Sequence, residues 1–218
     1  MNSKERENKM AADWDKRAAT VQDAMAFIID HYEGPPEPFY ASGAKHWADM
    51  KEALVHFGAW QHRLDMVGVE IGCGVGRMTI HMAKEFRQFR AYDISASMIS
   101  HAPRLLNGLY VAGGAADIAY LKQYADYVLS LLVFQHMPRA TFLEYVDEAH
   151  EALRPGGIFC TQMHYGTQDW ADEDTLRVRG YTPDWIDFHI DVEKWEILAN
   201  IEPLMGSELW HWLIMRRR

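Results

Sequence analysis

Two cysteines in 218 residues, Cys73 and Cys160, are too few for a disulfide framework. One lies in a glycine-rich turn and the other near the end of an expected strand, which suits a reducing compartment. Long apolar runs are also missing. No stretch approaches the ~18 continuous apolar residues of a membrane span, and no apolar run precedes a cleavage site near the N-terminus. Neither a signal peptide nor a transmembrane helix is expected, and the expected location is cytoplasmic. Basic charge is in deficit: 22 Lys and Arg stand against 31 Asp and Glu, a formal net charge of -9. Such a field repels phosphate backbones, so nucleic acid is not an expected partner. The run Arg216, Arg217, Arg218 reads as a solvated chain end. The 11 histidines show neither His-x-x-x-His nor His-Glu-x-x-His spacing, and no paired cysteines accompany them. No metal site is expected. Internal repeats and low-complexity tracts are absent.

What is present is enough apolar material for one substantial core, 49% hydrophobic and 12% aromatic residues. The first nine residues are polar, lack apolar periodicity and read as disordered. Residues 12–30 carry helical spacing through Trp14, Val21, Met25 and Ile28. Pro35, Pro36 and Pro38 interrupt it, and an irregular stretch follows. A second helical pattern runs over 44–59. Residues 1–62 are therefore expected to form a helical cap.

From Met66 the pattern changes. Strands are expected over 67–71, 89–93, 109–111, 127–134 and 158–163, separated by helices over 76–86, 96–106 and 139–153. The run 127–134 is almost continuously apolar, as a central parallel strand should be. Residues 165–189 read as a lid-like insert, 191–200 as a last helix, and 201–204 and 208–215 as closing strands. The fold class expected is α/β: a doubly wound, mostly parallel, seven-stranded, Rossmann-like sheet over 63–218, behind the N-terminal helical cap.

Gly72-Cys73-Gly74-Val75-Gly76 follows the first strand and opens a helix. Glycine belongs where a chain turns sharply or where backbone approaches a ligand closely. Asp93 ends the next strand, where a carboxylate can accept from both hydroxyls of a ribose. Together they indicate a nucleoside-containing cofactor. The spacing is G-x-G-x-G, with Arg77 where a dinucleotide pattern wants Gly or Ala.

Glu70 through Arg77 resembles the first motif of the class I S-adenosylmethionine-dependent methyltransferases. Ala91 to Ser95 with Met98, Ala116 to Ile118, Asp126 to Met137 and Leu153 to Gly157 resemble the family's later segments, in order, over roughly residues 66–163. The resemblance implies S-adenosyl-L-methionine as cofactor. It implies that Glu70, Gly72, Cys73, Gly74 and Gly76 hold the cofactor's methionine end and that Asp93 takes the ribose. Ile94 and Met98 would pack near the adenine, Asp117 and Ile118 would contact it, and Phe134 and Gln135 would line the wall near the methyl donor. The implied activity is methyl transfer to a small-molecule acceptor by in-line displacement, O- or N-methylation first.

A base helps if the acceptor is a hydroxyl or a protonated amine. His136 and His164 each follow a strand at the rim of the expected site and are the candidate bases. Tyr40, Trp47, Gln135, Tyr165 and Trp170 are the candidate acceptor-binding residues, from an aromatic-rich cap and insert. The expected partners are a small-molecule acceptor and, left open, a second copy in a homodimer; a membrane is not expected. Competing readings are a methyltransferase acting on protein or nucleic acid, a nicotinamide-dependent oxidoreductase, and a non-catalytic cofactor-binding protein.

Overall fold

The continuously apolar run becomes the middle of the sheet. In the computed structural model, which describes residues 2–105, 107–171, 177–201 and 210–218, β4 (Ala125–Leu131) lies between β1 (Val67–Ile71) and β5 (Leu153–His164). Val128 and Leu129 are fully buried because both faces of this strand are covered. Outward from β1 lie β2 (Gln88–Asp93) and β3 (Gly108–Ala112); beyond β5 lie β7 (Trp210–Arg217) and then β6 (Trp195–Ile201). The order is β3-β2-β1-β4-β5-β7-β6. The first five strands pair in parallel, and β7 runs antiparallel to both its neighbours. The chain leaves β1 in one direction and returns on its other side as β4. That reversal opens a crevice at the carboxyl ends of β1 and β4, where Ile71 is level with Tyr92 and Ser130.

Helices cover both faces. On one, α7 (Arg139–Ala152) brings Phe142, Tyr145, Val146 and Ala149 against Phe134, Phe159 and Trp195. On the other, α3 (Pro36–His56) lays Trp47, Met50 and Leu54 over Met82, Phe89 and Ile214. A smaller cluster of Met25, Phe39, Val75 and Met98 joins α2 (Val21–Ile28) and α3 to the glycine turn.

The N-terminal residues depart from the expectation of disorder. Helix α1 spans Ser3–Arg17, started by a reciprocal cap in which Asn2 Oδ1 accepts from Glu5 N while Asn2 N donates to Glu5. Two docking points hold it. Arg6 donates to Thr141 and pairs with Glu144 at 2.5 Å on α7. Asp15 accepts from Ser95 Oγ at 2.6 Å and Ser97 N at 3.0 Å, at the start of α5 (Ala96–Ser100). The single helix expected over 12–30 is two, because Thr20 forms a second capping box with Asp23. The stretch expected to be irregular after Pro36 is already α3, since prolines 36 and 38 occupy a first turn whose N–H groups have no intrahelical acceptor.

Two further helices are shorter than expected. Residues 76–86 contain α4 (Thr79–Met82) and a 3-10 turn, Ala83–Glu85. Helix α5 stops before Pro103, which lacks the N–H needed to continue it. Residues 191–200 are a turn and most of β6, not a helix; pairing with β7 decides an apolar run that either period could accommodate. The short α6 (Ala115–Ala119) precedes β4, and α8 (Pro183–His189) lies within the expected insert. Residues 172–176 of that insert, and nearly all of the strand expected over 201–204, lie outside the described residues.

Gly43 fixes how closely α3 approaches the glycine turn. A Cβ at this position would stand 2.0 Å from the backbone carbonyl oxygen of Arg77. Alanine improves helix propensity by about 1 kcal/mol, but backbone overpacking typically costs about 1–3 kcal/mol. Gly43→Ala is therefore expected to lower the urea midpoint; an unchanged or raised midpoint would refute the close approach.

Candidate active site

The glycine turn works through backbone shape. Gly72, Gly74 and Gly76 adopt φ of +74°, +53° and +78°, a region that side chains rarely tolerate. A Cβ on Gly72 would also meet Val133 Cγ2 at 2.2 Å, so the turn passes tightly under the segment after β4. Tyr40 Oη donates to Val75 O and Gly76 N to Cys73 O, bracing the turn from below.

Asp93 ties this turn to the next element. Its Oδ2 accepts from Gly74 N at 2.7 Å and its Oδ1 from Ser95 N at 2.8 Å. A carboxylate offers about four lone-pair positions, so both oxygens keep acceptor capacity for a ligand. Burial pushes its carboxyl up to about 6, against the two amide bonds. Glu70, at the end of β1, accepts from Thr79 Oγ1 at 2.5 Å, and burial pushes it up to about 8.

These groups face one cavity of about 520 Å³, inside the size range of small-molecule sites. Of the residues singled out from sequence, Glu70, Gly72, Cys73, Gly74, Asp93, Ile94, Met98, Gln135 and His136 line it. Gln135 and His136 reach it from a one-turn 3-10 helix, Phe134–His136, directly after β4. Leu132, also on the lining, holds φ +58°, left-handed backbone that sharpens the exit from the strand.

The other sequence candidates stand off the cavity. Gly76 packs toward Tyr110 below the turn. Asp117 is exposed and caps α6 by accepting from Gly114 N at 2.9 Å, while Ile118 is buried in the core. Phe134 points inward among Phe142, Tyr145 and Phe159, the same turn that sends Gln135 and His136 the other way. Tyr40 lies beneath the turn. Trp47 shares the α3 core stripe with Met50 and Leu54 and sits edge-on to Trp60. His164 packs edge-on against Trp210, and burial holds its imidazole below the ordinary range. Tyr165 bridges to Tyr181, and Trp170 donates Nε1 to Val178 O at the surface. Of the two candidate bases, His136 alone is on the lining.

Helix α1 adds two lining residues that were not among the candidate site residues. Met10 and Trp14, one helical turn apart, face the cavity, and Trp14 meets the His136 ring at 5.4 Å. Two apolar residues at i and i+4 on an otherwise charged helix were the available signal. Tyr145, Val178 and Trp210 also line the cavity and carried no distinguishing pattern. Among the described residues, no group of three or more His, Cys, Asp and Glu could hold a metal ion.

The buried carboxyls set a pH dependence. Glu70 is raised by folding, so between its ordinary value of 4.5 and about 8 the unfolded chain binds fewer protons than the folded one. Stability of the ligand-free protein falls as pH rises through that window. In Glu70→Gln the loss of denaturant midpoint from pH 5 to pH 8 is expected to shrink; equal losses in both proteins would contradict the buried acid.

The family whose sequence pattern matches the chain is described as a methyltransferase domain, and the match covers residues 69–157. An uncharacterized methyltransferase of Synechocystis is 24% identical over 103 residues, 47% of this chain and 49% of that protein. The chain thus spans about half the length of the curated relative it matches. Magnesium protoporphyrin IX methyltransferase from Synechocystis, solved with S-adenosylhomocysteine, superposes with a TM-score of 0.66 at 15% identity, over 96% of this chain and 100% of that one. N-methyltransferase NodS from Bradyrhizobium japonicum, also solved with S-adenosylhomocysteine, gives 0.61 at 16%, over 96% and 98%. At these identities the likeness is one of fold. The strand order, the glycine turn and Asp93 thus sit in a fold shared with S-adenosylmethionine-dependent methyltransferases, and residues 69–157 match a methyltransferase domain.

Proposed function

We propose that the protein binds S-adenosyl-L-methionine in this cavity and transfers its methyl group to a small-molecule acceptor. The observation that carries the reading is one cavity with the glycine turn and Asp93 on one wall and Gln135 and His136 on the other. S-adenosylmethionine, when bound, supplies a methyl group activated on a sulfonium sulfur. Glu70 and the turn receive its amino-acid end, and Asp93 accepts from its ribose. Met10 and Trp14 close over the site and exclude water.

The acceptor side is lined by apolar and aromatic groups, with few polar ones to orient a ligand. Gln135 Oε1 is buried and has no hydrogen-bond partner. Buried acceptors of this kind are normally satisfied, and an acceptor hydroxyl or amine N–H would satisfy it. His136 takes the proton from that group as the methyl group moves. Holding the two reactants in line supplies most of the acceleration. A cavity this size, shared with the cofactor, favours a small acceptor over a polymer.

Thermal denaturation with S-adenosylhomocysteine and with NADH tests the cofactor. Stabilisation by the first and not the second is expected, and Asp93→Ala should lose it; a response to NADH alone would overturn the reading. Turnover is tested with radiolabelled S-adenosylmethionine and a panel of hydroxyl and amine acceptors. On an accepted substrate, His136→Gln is expected to lower kcat by about 10²–10⁴ with unchanged cofactor affinity, whereas an unchanged kcat excludes His136 as the base.

A further inference from the structure

Arg77 is 6% exposed on the wall of the cavity, yet its guanidinium is in ion-pair contact with no carboxylate among the described residues. Its Nη1 donates to Ser42 Oγ at 3.2 Å and to His46 Nδ1 at 2.7 Å. Arginine has no acceptor and stays ionised, so His46 accepts through Nδ1 and is neutral. Burial and the Arg77 charge both hold His46 below the ordinary imidazole range. Both partners on α3 are therefore uncharged. The Arg77 Nε has no hydrogen-bond partner at all. The guanidinium carbon stands 6.0 Å from the centre of the Phe39 ring, which adds packing and no counter-charge. Glu70 acts on Arg77 only at longer range.

A buried cation without an anion in contact is costly, and arginine cannot escape the cost by releasing its proton. Its position is nonetheless fixed, by Ser42 and His46 at the side chain and by Gly43 against its carbonyl oxygen. Such an arrangement is preorganised for an anionic group arriving with a ligand. Arg77 directly follows Gly76, at the end of the turn assigned to the cofactor's amino-acid end. We propose that Arg77 receives the carboxylate of that amino-acid end and is a specificity-determining residue for the intact cofactor. The proposal rests on the reading of the cavity as an S-adenosylmethionine site. A carboxylate on the acceptor is the other source of the same chemistry.

Calorimetric titration separates these cases. The probes are S-adenosylhomocysteine and its decarboxylated analogue, which keeps the amine and lacks only the carboxylate. The wild type is expected to prefer the first by roughly ten- to hundredfold, the range for a hydrogen bond to a charged group. Arg77→Gln is expected to bind both alike, at the affinity of the wild type for the analogue. If Arg77→Gln keeps the preference, the anion belongs to the acceptor or elsewhere and the assignment is overturned. If it weakens both ligands equally, Arg77 is a counter-charge for Glu70 and the assignment is equally overturned. Should Arg77→Gln not fold, Arg77→Lys carries the test: a severalfold smaller preference supports the proposal, and an unchanged one refutes it. A wild type that binds neither ligand rejects the cofactor reading itself.

Discussion

The carboxylate of Asp93 is the constraint on which the site depends. Each of its oxygens takes a backbone N–H, one from Gly74 in the turn after β1 and one from Ser95 at the start of α5. One side chain thus sets the spacing of two loops from adjacent parallel strands, and does so from inside the crevice that the strand order creates. The bonds satisfy two backbone amides at the ends of adjacent strands. They also oppose the burial that pushes the Asp93 carboxyl up. A group held this way orders the crevice and still has acceptor capacity.

A second layer is built on the first. Ser95, whose amide is held by Asp93, donates its hydroxyl to Asp15 on α1. The same short turn therefore fixes the cavity wall and docks the helix that covers it. Hydrogen bonds from Ser95 and Ser97 outweigh burial and hold the Asp15 carboxyl below its ordinary range. Toward the other end of α1, Glu7 lies so close to Gly114 that a Cβ there would meet its carboxylate at 2.3 Å. Met10 and Trp14 lie between these two points, over the cavity.

The parts legible in the sequence are those fixed by local rules. Three glycines in a strand-to-helix turn demand positive φ, and a continuously apolar β4 demands burial on both faces; each is written within a few residues. Asp93 could be found because it ends a strand at the right distance from the turn. The parts that were not legible depend on distant partners. The first nine residues look like a charged tail until Arg6 meets Glu144, 138 residues away, and the helix they begin is held at its far end by Asp15 meeting Ser95, 80 residues away. Strand β6 accepts either period until β7 pairs with it. Trp47 and Phe134 are aromatic and near the site in sequence terms, but packing turns one into the α3 core stripe and the other away from the cavity. Asp117 is taken by the cap of its own helix. Residue type could nominate these side chains; direction required the backbone.

Helix α1 is fastened at both ends, and its two fastenings differ in kind. Asp15 grips Ser95 and Ser97 next to Asp93, whereas Arg6 and Glu144 form an ion pair whose acid is about one-third exposed. Dissolved salt weakens exchange-accessible ion pairs far more than short bonds to hydroxyl and amide groups. Of the two fastenings, the one at Arg6 is therefore the more sensitive to ionic strength.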